Sequence, residues 1–219
     1  MIALTPQQRR HKDLIRDFLV YVNDQDAQYV LRGGTALMVC YGLDRFSEDV
    51  NLDGHGVAIR NYVSRFAQNR GIDYHIVQDT DTVKQFVLQN GNDRLGIETV
   101  YRRKYTDPTT INKINGISVY NLDALAIMKN NAYQSRNRIR DLYDLIFILT
   151  HHWDDVSKHT KATIADAFSY HGLERLDYDV KTQQDVLIPE ELVDQMTNNF
   201  PGIYDRLGLV GDTNRRTRD

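Results

Sequence analysis

Between Leu31 and Asp53 the chain reads LRGGTALMVCYGLDRFSEDVNLD, and two parts of this run carry residue types that can do chemistry together. Gly33 and Gly34 close a short apolar strand. A glycine pair there lets the backbone approach a ligand with no Cβ in the way, and the free N–H groups around Thr35, at the start of the next helix, point at it. Phosphate is the natural ligand of such a turn, although tight strand-to-helix turns also use glycine for steric reasons alone. Further on, Asp49 and Asn51 project from one face of a strand about 7 Å apart, given ~3.3 Å rise per residue. Side-chain oxygens so placed can converge on a divalent cation, and Mg²⁺ takes a couple of protein oxygens completed by substrate phosphate oxygens. The combination describes a nucleoside triphosphate site.

The elements that must position these residues follow from caps and periodicity. Thr5-Pro6 gives an N-cap and a first-turn proline, and Leu14, Ile15, Phe18, Leu19 and Val22 recur at helical spacing, which predicts an amphipathic helix over 6–23. YVLR (29–32) reads as a buried strand and TALMVCYG as a short buried helix. DVNLD (49–53) alternates, with Val50 and Leu52 on one face, Asp49, Asn51 and Asp53 on the other, and Gly54 and Gly56 ending it. A helix over 57–69 and strands at 73–78, 84–89, 95–102 and 117–122 come next. Four helical patterns follow, at 121–133, 138–152, 156–172 and 189–199, and the tail GDTNRRTRD reads as frayed. This order predicts an α+β fold, with a core over residues 1–120 and a helical C-terminal part over 121–219 packed with it as one unit.

Bulk properties narrow the setting. The 219 residues, 41% of them hydrophobic, suffice for a proper core. With four prolines and no Ser/Gly-rich tract or internal repeat, no long linker or array is expected. No stretch approaches the roughly 20 apolar residues of a membrane span, so a soluble, cytoplasmic protein without a membrane partner is expected. The single cysteine, Cys40, excludes disulfides within the chain and multi-cysteine metal sites, and its apolar neighbours mark it as core. The net charge of −3 argues against a general nucleic-acid binder, yet nine Lys/Arg against three acids lie between Arg94 and Arg140. That asymmetry offers a basic face to phosphates, or simply a solvated helix face.

Other chemistries find little support. Neither Gly-x-x-x-x-Gly-Lys-Ser/Thr nor Gly-x-Gly-x-x-Gly occurs. The histidines at 11, 55, 75, 151, 152, 159 and 171 show no zinc-ligand spacing. Tyr101, Arg102, Arg103, Lys104 and Tyr105 interleave aromatics with cations, which suits RNA stacking and backbone contact but also describes a polar strand end.

The residues resemble the AbiEii/AbiGii nucleotidyltransferase toxins of the DNA polymerase β-like nucleotidyltransferase superfamily. The family's Gly-Gly-Thr-Ala-Leu is matched by Gly33, Gly34, Thr35, Ala36 and Leu37. Its Arg-Phe-Ser-x-Asp-x-Asp is matched by Arg45, Phe46, Ser47, Glu48 and Asp49, with Asn51 in the place of the last Asp. A lysine on one helix and an Arg-Asp-x-x-Asp segment on the next resemble Lys129 and then Arg140, Asp141 and Asp144. The resemblance implies a polymerase β-like core with a small mixed sheet. It implies transfer of NMP from an NTP to an acceptor, often the 3′ end of tRNA, in a toxin–antitoxin or phage-defence system with a cognate antitoxin.

Within that resemblance, Gly33, Gly34 and Thr35 would hold triphosphate oxygens. Ser47 would add a hydroxyl, and Arg45 either a phosphate contact or a structural ion pair. Asp49, with Asn51, would bind Mg²⁺ or Mn²⁺. Lys129 would neutralise the β- and γ-phosphates. Asp141 and Asp144 share a helix face, and one of them, Asp144 first, would orient Lys129 or a ribose hydroxyl. Glu98 is a candidate third carboxylate. The plainer alternatives are surface pairing of Asp141 and Asp144 with Arg138 or Arg140, a solvated Lys129, and a Glu98 that simply faces water.

Asn51 departs from the family pattern. Asparagine keeps one oxygen ligand but loses a negative charge, so cation affinity should fall. Three readings stay open: catalysis with Asp49 plus Asp53 or Glu98, an inactive NTP- or RNA-binding module, or a substitution introduced to express a toxic enzyme. Transfer to a protein acceptor is a further alternative.

Overall fold

Thr5 caps the first helix by a reciprocal pair of hydrogen bonds, its hydroxyl accepting from the Gln8 N–H at 3.1 Å while Gln8 Oε1 accepts from the Thr5 N–H at 3.0 Å. Pro6 then occupies the first turn, and α1 runs Pro6–Asn23 with His11, Leu14, Ile15, Phe18, Leu19 and Val22 buried. The computed structural model describes residues 4–25, 29–54, 59–91, 93–101 and 106–209. It divides into two units, residues 1–121 and 122–219.

In the first unit α1 is followed by β1 (Tyr29–Arg32), α2 (Gly33–Cys40), β2 (Val50–Gly54), α3 (Ile59–Arg70), β3 (Asp73–Asp79), β4 (Val83–Asn90) and β5 (Asp93–Val100). A short 3₁₀ turn at Pro108–Thr110 leads to β6 (Ile111–Ile114) and β7 (Ile117–Tyr120). The seven strands form one mixed sheet in the order β3-β4-β5-β2-β1-β7-β6. β2 lies antiparallel to β1 and parallel to β5, so Asn51 stands opposite Arg32 on one side and Glu98 on the other. Leu31, Leu52 and Val119 are fully buried or nearly so at the sheet centre, each contributing roughly 1.5–3 kcal/mol by burial.

The second unit holds α4 (Leu122–Arg136), α5 (Ile139–His151), a 3₁₀ turn at Trp153–Asp155, α6 (Lys158–Thr182) and α7 (Glu190–Arg206). A buried face on α5 runs from Ile139 to Leu149. Among the described residues no helix is long and apolar enough to cross a membrane.

Four departures from the sequence reading have physical reasons. β6 was not expected. It pairs with β7 through a two-residue turn in which Asn115 and Gly116 both take positive φ, the conformation that Asn-Gly favours. Asp49 precedes β2 instead of opening it. α6 continues beyond 172 across a kink at Gly172, whose φ of 68° lies outside helical space. α7 passes Pro201 because burial of Phe200, Ile203 and Tyr204 carries it onward. Cys40 is half-buried, and burial pushes its thiol up to about 11, which fits an inert packing residue. Gly56, His55, residues 102–105 and the tail from 211 lie outside the described residues.

Candidate active site

Asp49 sits at the end of a loop that the first unit fastens at each step. Arg45 is buried, and its Nη1 donates to the Phe46 carbonyl at 2.9 Å. The Ser47 N–H points to Met38 Sδ at 3.3 Å. His11 Nε2 donates to the Glu48 carbonyl at 2.7 Å. Thr35, fully buried on α2, donates its hydroxyl to the Asp49 carbonyl at 2.5 Å, which leaves Ser47 to donate to Thr35 Oγ1 at 2.8 Å. The two halves of the LRGGTAL…DRFSEDVNLD run are therefore tied together by Thr35 and Ser47.

Each glycine of the pair has its own steric reason. Gly33 takes φ +80°, and the Asn51 side chain covers it, with Nδ2 at 3.7 Å from where a Cβ would stand. At Gly34 a Cβ would lie 2.6 Å from Arg45 Nη2 and 3.0 Å from Ser47 Oγ. Gly34 thus lets Arg45 and Ser47 reach the first turn of α2, and Arg45 is placed as an internal packing residue.

The exposed Asp49 carboxylate lies against β5 where Gly96 has no side chain, and a Cβ there would collide with Asp49 Oδ1. Asp49, Asn51, Gly96 and Glu98 line one cleft of about 600 Å³, together with Glu48, Gln85 and Arg94. Glu98 is held on both oxygens, by Arg32 Nη2 at 2.9 Å and by Gln85 Nε2 at 2.8 Å. Asp53, grouped with Asp49 and Asn51 by the alternating pattern, does not line the cleft. It is buried, accepts from the Tyr120 hydroxyl at 2.7 Å and pairs with Arg32 at 3.0 Å.

Among the described residues no three His, Cys, Asp or Glu side chains are grouped so as to hold a metal by themselves. Mg²⁺ bound with substrate needs fewer, because it keeps waters and phosphate oxygens as ligands. An exposed carboxylate at Asp49, an amide at Asn51 and a second carboxylate at Glu98 around one cleft fit that requirement. Glu48, Asp49 and Glu98 outnumber Arg94 along the cleft, and Glu98 is already paired with Arg32, so the lining is net acidic.

In the second unit Lys129, Asp141 and Asp144 form one buried cluster. Lys129 Nζ lies 2.6 Å from Asp144 Oδ2 and 3.1 Å from Asp141 Oδ1, and the three residues are 6%, 0% and 1% exposed for Lys129, Asp144 and Asp141. Arg136 adds a bidentate pair to Asp141, at 2.6 and 2.9 Å. The alternatives of a solvated Lys129 and of carboxylates paired with Arg138 or Arg140 along a helix surface are both replaced by this arrangement. Arg140 instead pairs with Asp185 at 2.7 Å.

Burial pushes the Asp141 carboxyl up, but hydrogen bonding and charge from Arg136 and Lys129 outweigh it and hold the group below the ordinary carboxylate value. A folded-state pKa below the unfolded one gives stability that is complete above the unfolded value, ~3.9, and is lost as pH falls through the folded one. Thermal melts should therefore drop on acidification below about pH 5, and Asp141→Asn should flatten that drop. An equal slope in both proteins would contradict this.

Gly96, His11, Arg136 and Gln85 were not singled out by the sequence. Gly96 left a trace, since a lone glycine inside a strand pattern often marks close approach of another group. The others leave none: His11 and Gln85 meet partners 37 and 13 residues away, and Arg136 reaches Asp141, five residues on, only across the turn between α4 and α5.

A profile of the family described as "Nucleotidyl transferase AbiEii toxin, Type IV TA system" matches residues 17–205. The crystal structure of JHP933 from Helicobacter pylori is similar, with TM-score 0.74 and 26% identity over 94% of this chain and 95% of that one. A candidate nucleotidyltransferase from H. pylori aligns with TM-score 0.73 and 26% identity, covering 94% of this chain and 99% of that one. No curated protein sequence matches. The α+β core with its mixed sheet is the polymerase β-like fold of these nucleotidyltransferases, and the chain belongs to the AbiEii nucleotidyl transferase toxin family.

Proposed function

We propose that this chain moves a nucleoside monophosphate from an NTP onto RNA, with the 3′ end of tRNA as acceptor. The family supports nucleotidyl transfer in a toxin–antitoxin setting, with an antitoxin as partner. The observation that carries the reading is the shared cleft: Asp49, Asn51 and Glu98 face one cavity, and the Gly33 turn lies beneath Asn51.

Asp49 and Asn51 would hold Mg²⁺ or Mn²⁺, with Glu98 as the second carboxylate near by. When bound, that cation neutralises charge developing on the transferred phosphoryl group. Gly33, Gly34 and Thr35 present the start of α2 to triphosphate oxygens, while Ser47 keeps that turn joined to the Asp49 loop. Lys129, Asp141 and Asp144 serve nucleotide handling from the helical unit. A buried charged cluster is a costly way to stabilise a fold compared with apolar packing, which supports a use beyond stability.

The test incubates purified protein with each α-labelled NTP and total tRNA, with and without EDTA. Label should reach tRNA only when divalent cation is present. Asn51→Asp restores a charge at the cation, so transfer should rise about tenfold at low Mg²⁺, an effect near 1.4 kcal/mol. Absence of transfer by both proteins would overturn the enzyme reading. The amide at position 51 specifically favours one other reading, a nucleotide-binding module without catalysis. That reading expects calorimetric NTP binding unaffected by EDTA.

A further inference from the structure

The α4–α5 corner is gripped from outside by residues of the α6 C-terminus, and this grip bears on the charged cluster. The chain turns there through Asn137, a non-glycine residue at φ 48°, which costs roughly 1 kcal/mol for an Asn. Arg138, the residue preceding α5, makes no side-chain cap, so the first N–H groups of α5 need partners from elsewhere. Gln183 supplies one. Its Oε1 accepts from the Ile139 N–H at 2.8 Å, while its Nε2 donates to the Asn137 carbonyl at 2.8 Å. A single amide thus spans the corner.

Asp179, fully buried, completes the grip. Its Oδ1 accepts from Asn137 Nδ2 at 3.0 Å and from Gln183 Nε2 at 3.3 Å, and lies 3.2 Å from Arg175 Nε. Its Oδ2 accepts from the Tyr133 hydroxyl at 2.8 Å. Burial, then the Asp179 carboxylate, pushes the Tyr133 hydroxyl far up, so it remains a donor. Two residues beyond Gln183, Asp185 pairs with Arg140. Apart from the Asp179 contacts to Arg175 and Gln183, these bonds reach residues 133–140, the span that separates Lys129 on α4 from Asp141 and Asp144 on α5.

We propose that Asp179 and Gln183 are positioning residues: they fix the α4–α5 corner and thereby hold Lys129 at bonding distance from Asp141 and Asp144. This rests on the reading that the cluster serves the nucleotide. Supporting residues behind a first layer of ligands commonly change affinity 10–100-fold when removed, because a shift near 1 Å already breaks short charged contacts.

Three variants of the full chain, checked for folding by circular dichroism, test the idea with the four α-labelled ribonucleoside triphosphates. Gln183→Leu keeps the side-chain volume and removes all three of its hydrogen bonds. Gln183→Glu retains the acceptor for Ile139 but turns a second acceptor oxygen toward the Asn137 carbonyl and the Asp179 carboxylate. Asp144→Asn is isosteric and leaves Lys129 with Asp141. Gln183→Leu should raise KM for NTP about tenfold with kcat within about threefold, and Gln183→Glu, which cannot donate to Asn137 or Asp179, should raise it at least as far. Combined with Asp144→Asn, Gln183→Leu should add little, since both act on one cluster. Asp123→Ala removes the acceptor for the Ser157 N–H at the other end of α6 and serves as the control. It should lower Tm without changing KM. Equal KM changes in Gln183→Leu and Asp123→Ala at equal Tm loss would overturn the positioning role. So would weaker NTP use in Asp144→Asn beside an unaffected Gln183→Leu. Unchanged NTP use in Asp144→Asn would instead remove the nucleotide reading of the cluster, and this proposal with it.

Discussion

Lys129→Met should destabilise the protein by about 3–5 kcal/mol, the cost of removing one partner from a buried ion pair. The side chain is nearly isosteric, so no large cavity forms. What changes is charge: Asp141 and Asp144, both buried, lose the ammonium that lies 3.1 and 2.6 Å away. Arg136 still compensates Asp141, so the greater loss falls on Asp144. For a chain of this length the expected fall in Tm is roughly 10 °C. Lys129→Met/Asp144→Leu removes a cation and an anion together and should recover more than half of the loss. Thermal and urea melts decide the matter. A loss below about 1 kcal/mol would show that solvent reaches the cluster.

Gly96→Ala should abolish transfer as effectively as Asp49→Ala while leaving the melting curve within about 2 °C. Alanine suits a strand better than glycine, and a methyl at this position needs no change of backbone. The new Cβ falls on Asp49 Oδ1, the end of an exposed side chain that can rotate away at little cost. Stability is spared because the carboxylate moves, and activity is lost for the same reason. A displaced cation ligand should lower label transfer at least 100-fold, near 2.7 kcal/mol of transition-state stabilisation. Full activity in Gly96→Ala would mean that Asp49 acts from another position than the one against β5.

Much of the first block was legible because its determinants are local. Thr5-Pro6 marks the start of α1, the period-2 pattern marks β2, and Gly33-Gly34 marks the strand-to-helix turn. Each signal lies within a few residues of the structure it sets. Lys129 and the Asp141/Asp144 pair were legible as types and spacings, but their burial was not. Helical periodicity left a surface pairing with Arg138 or Arg140 as an alternative, and only the packing of α4 on α5 excludes it. The Asn115-Gly116 dipeptide is itself a hairpin signal, but INKI is short and half polar and carries no strand pattern of its own.

By itself, then, the sequence determined the order of elements, the Gly-Gly turn with its downstream Asp49 and Asn51, and a lysine and two aspartates that resemble a nucleotidyltransferase family. The tertiary structure decided which acids share a cleft. Sheet register brings Glu98 beside Asn51 and sends Asp53 to Tyr120 and Arg32. It also decided that Gly96 makes room for Asp49, and that Gln183, more than 40 residues downstream, caps α5. The physical reason is separation along the chain. Caps, turns and alternation depend on neighbours a few residues apart, whereas a carboxylate's partner or a glycine's vacancy is set by strands and helices that meet only after folding.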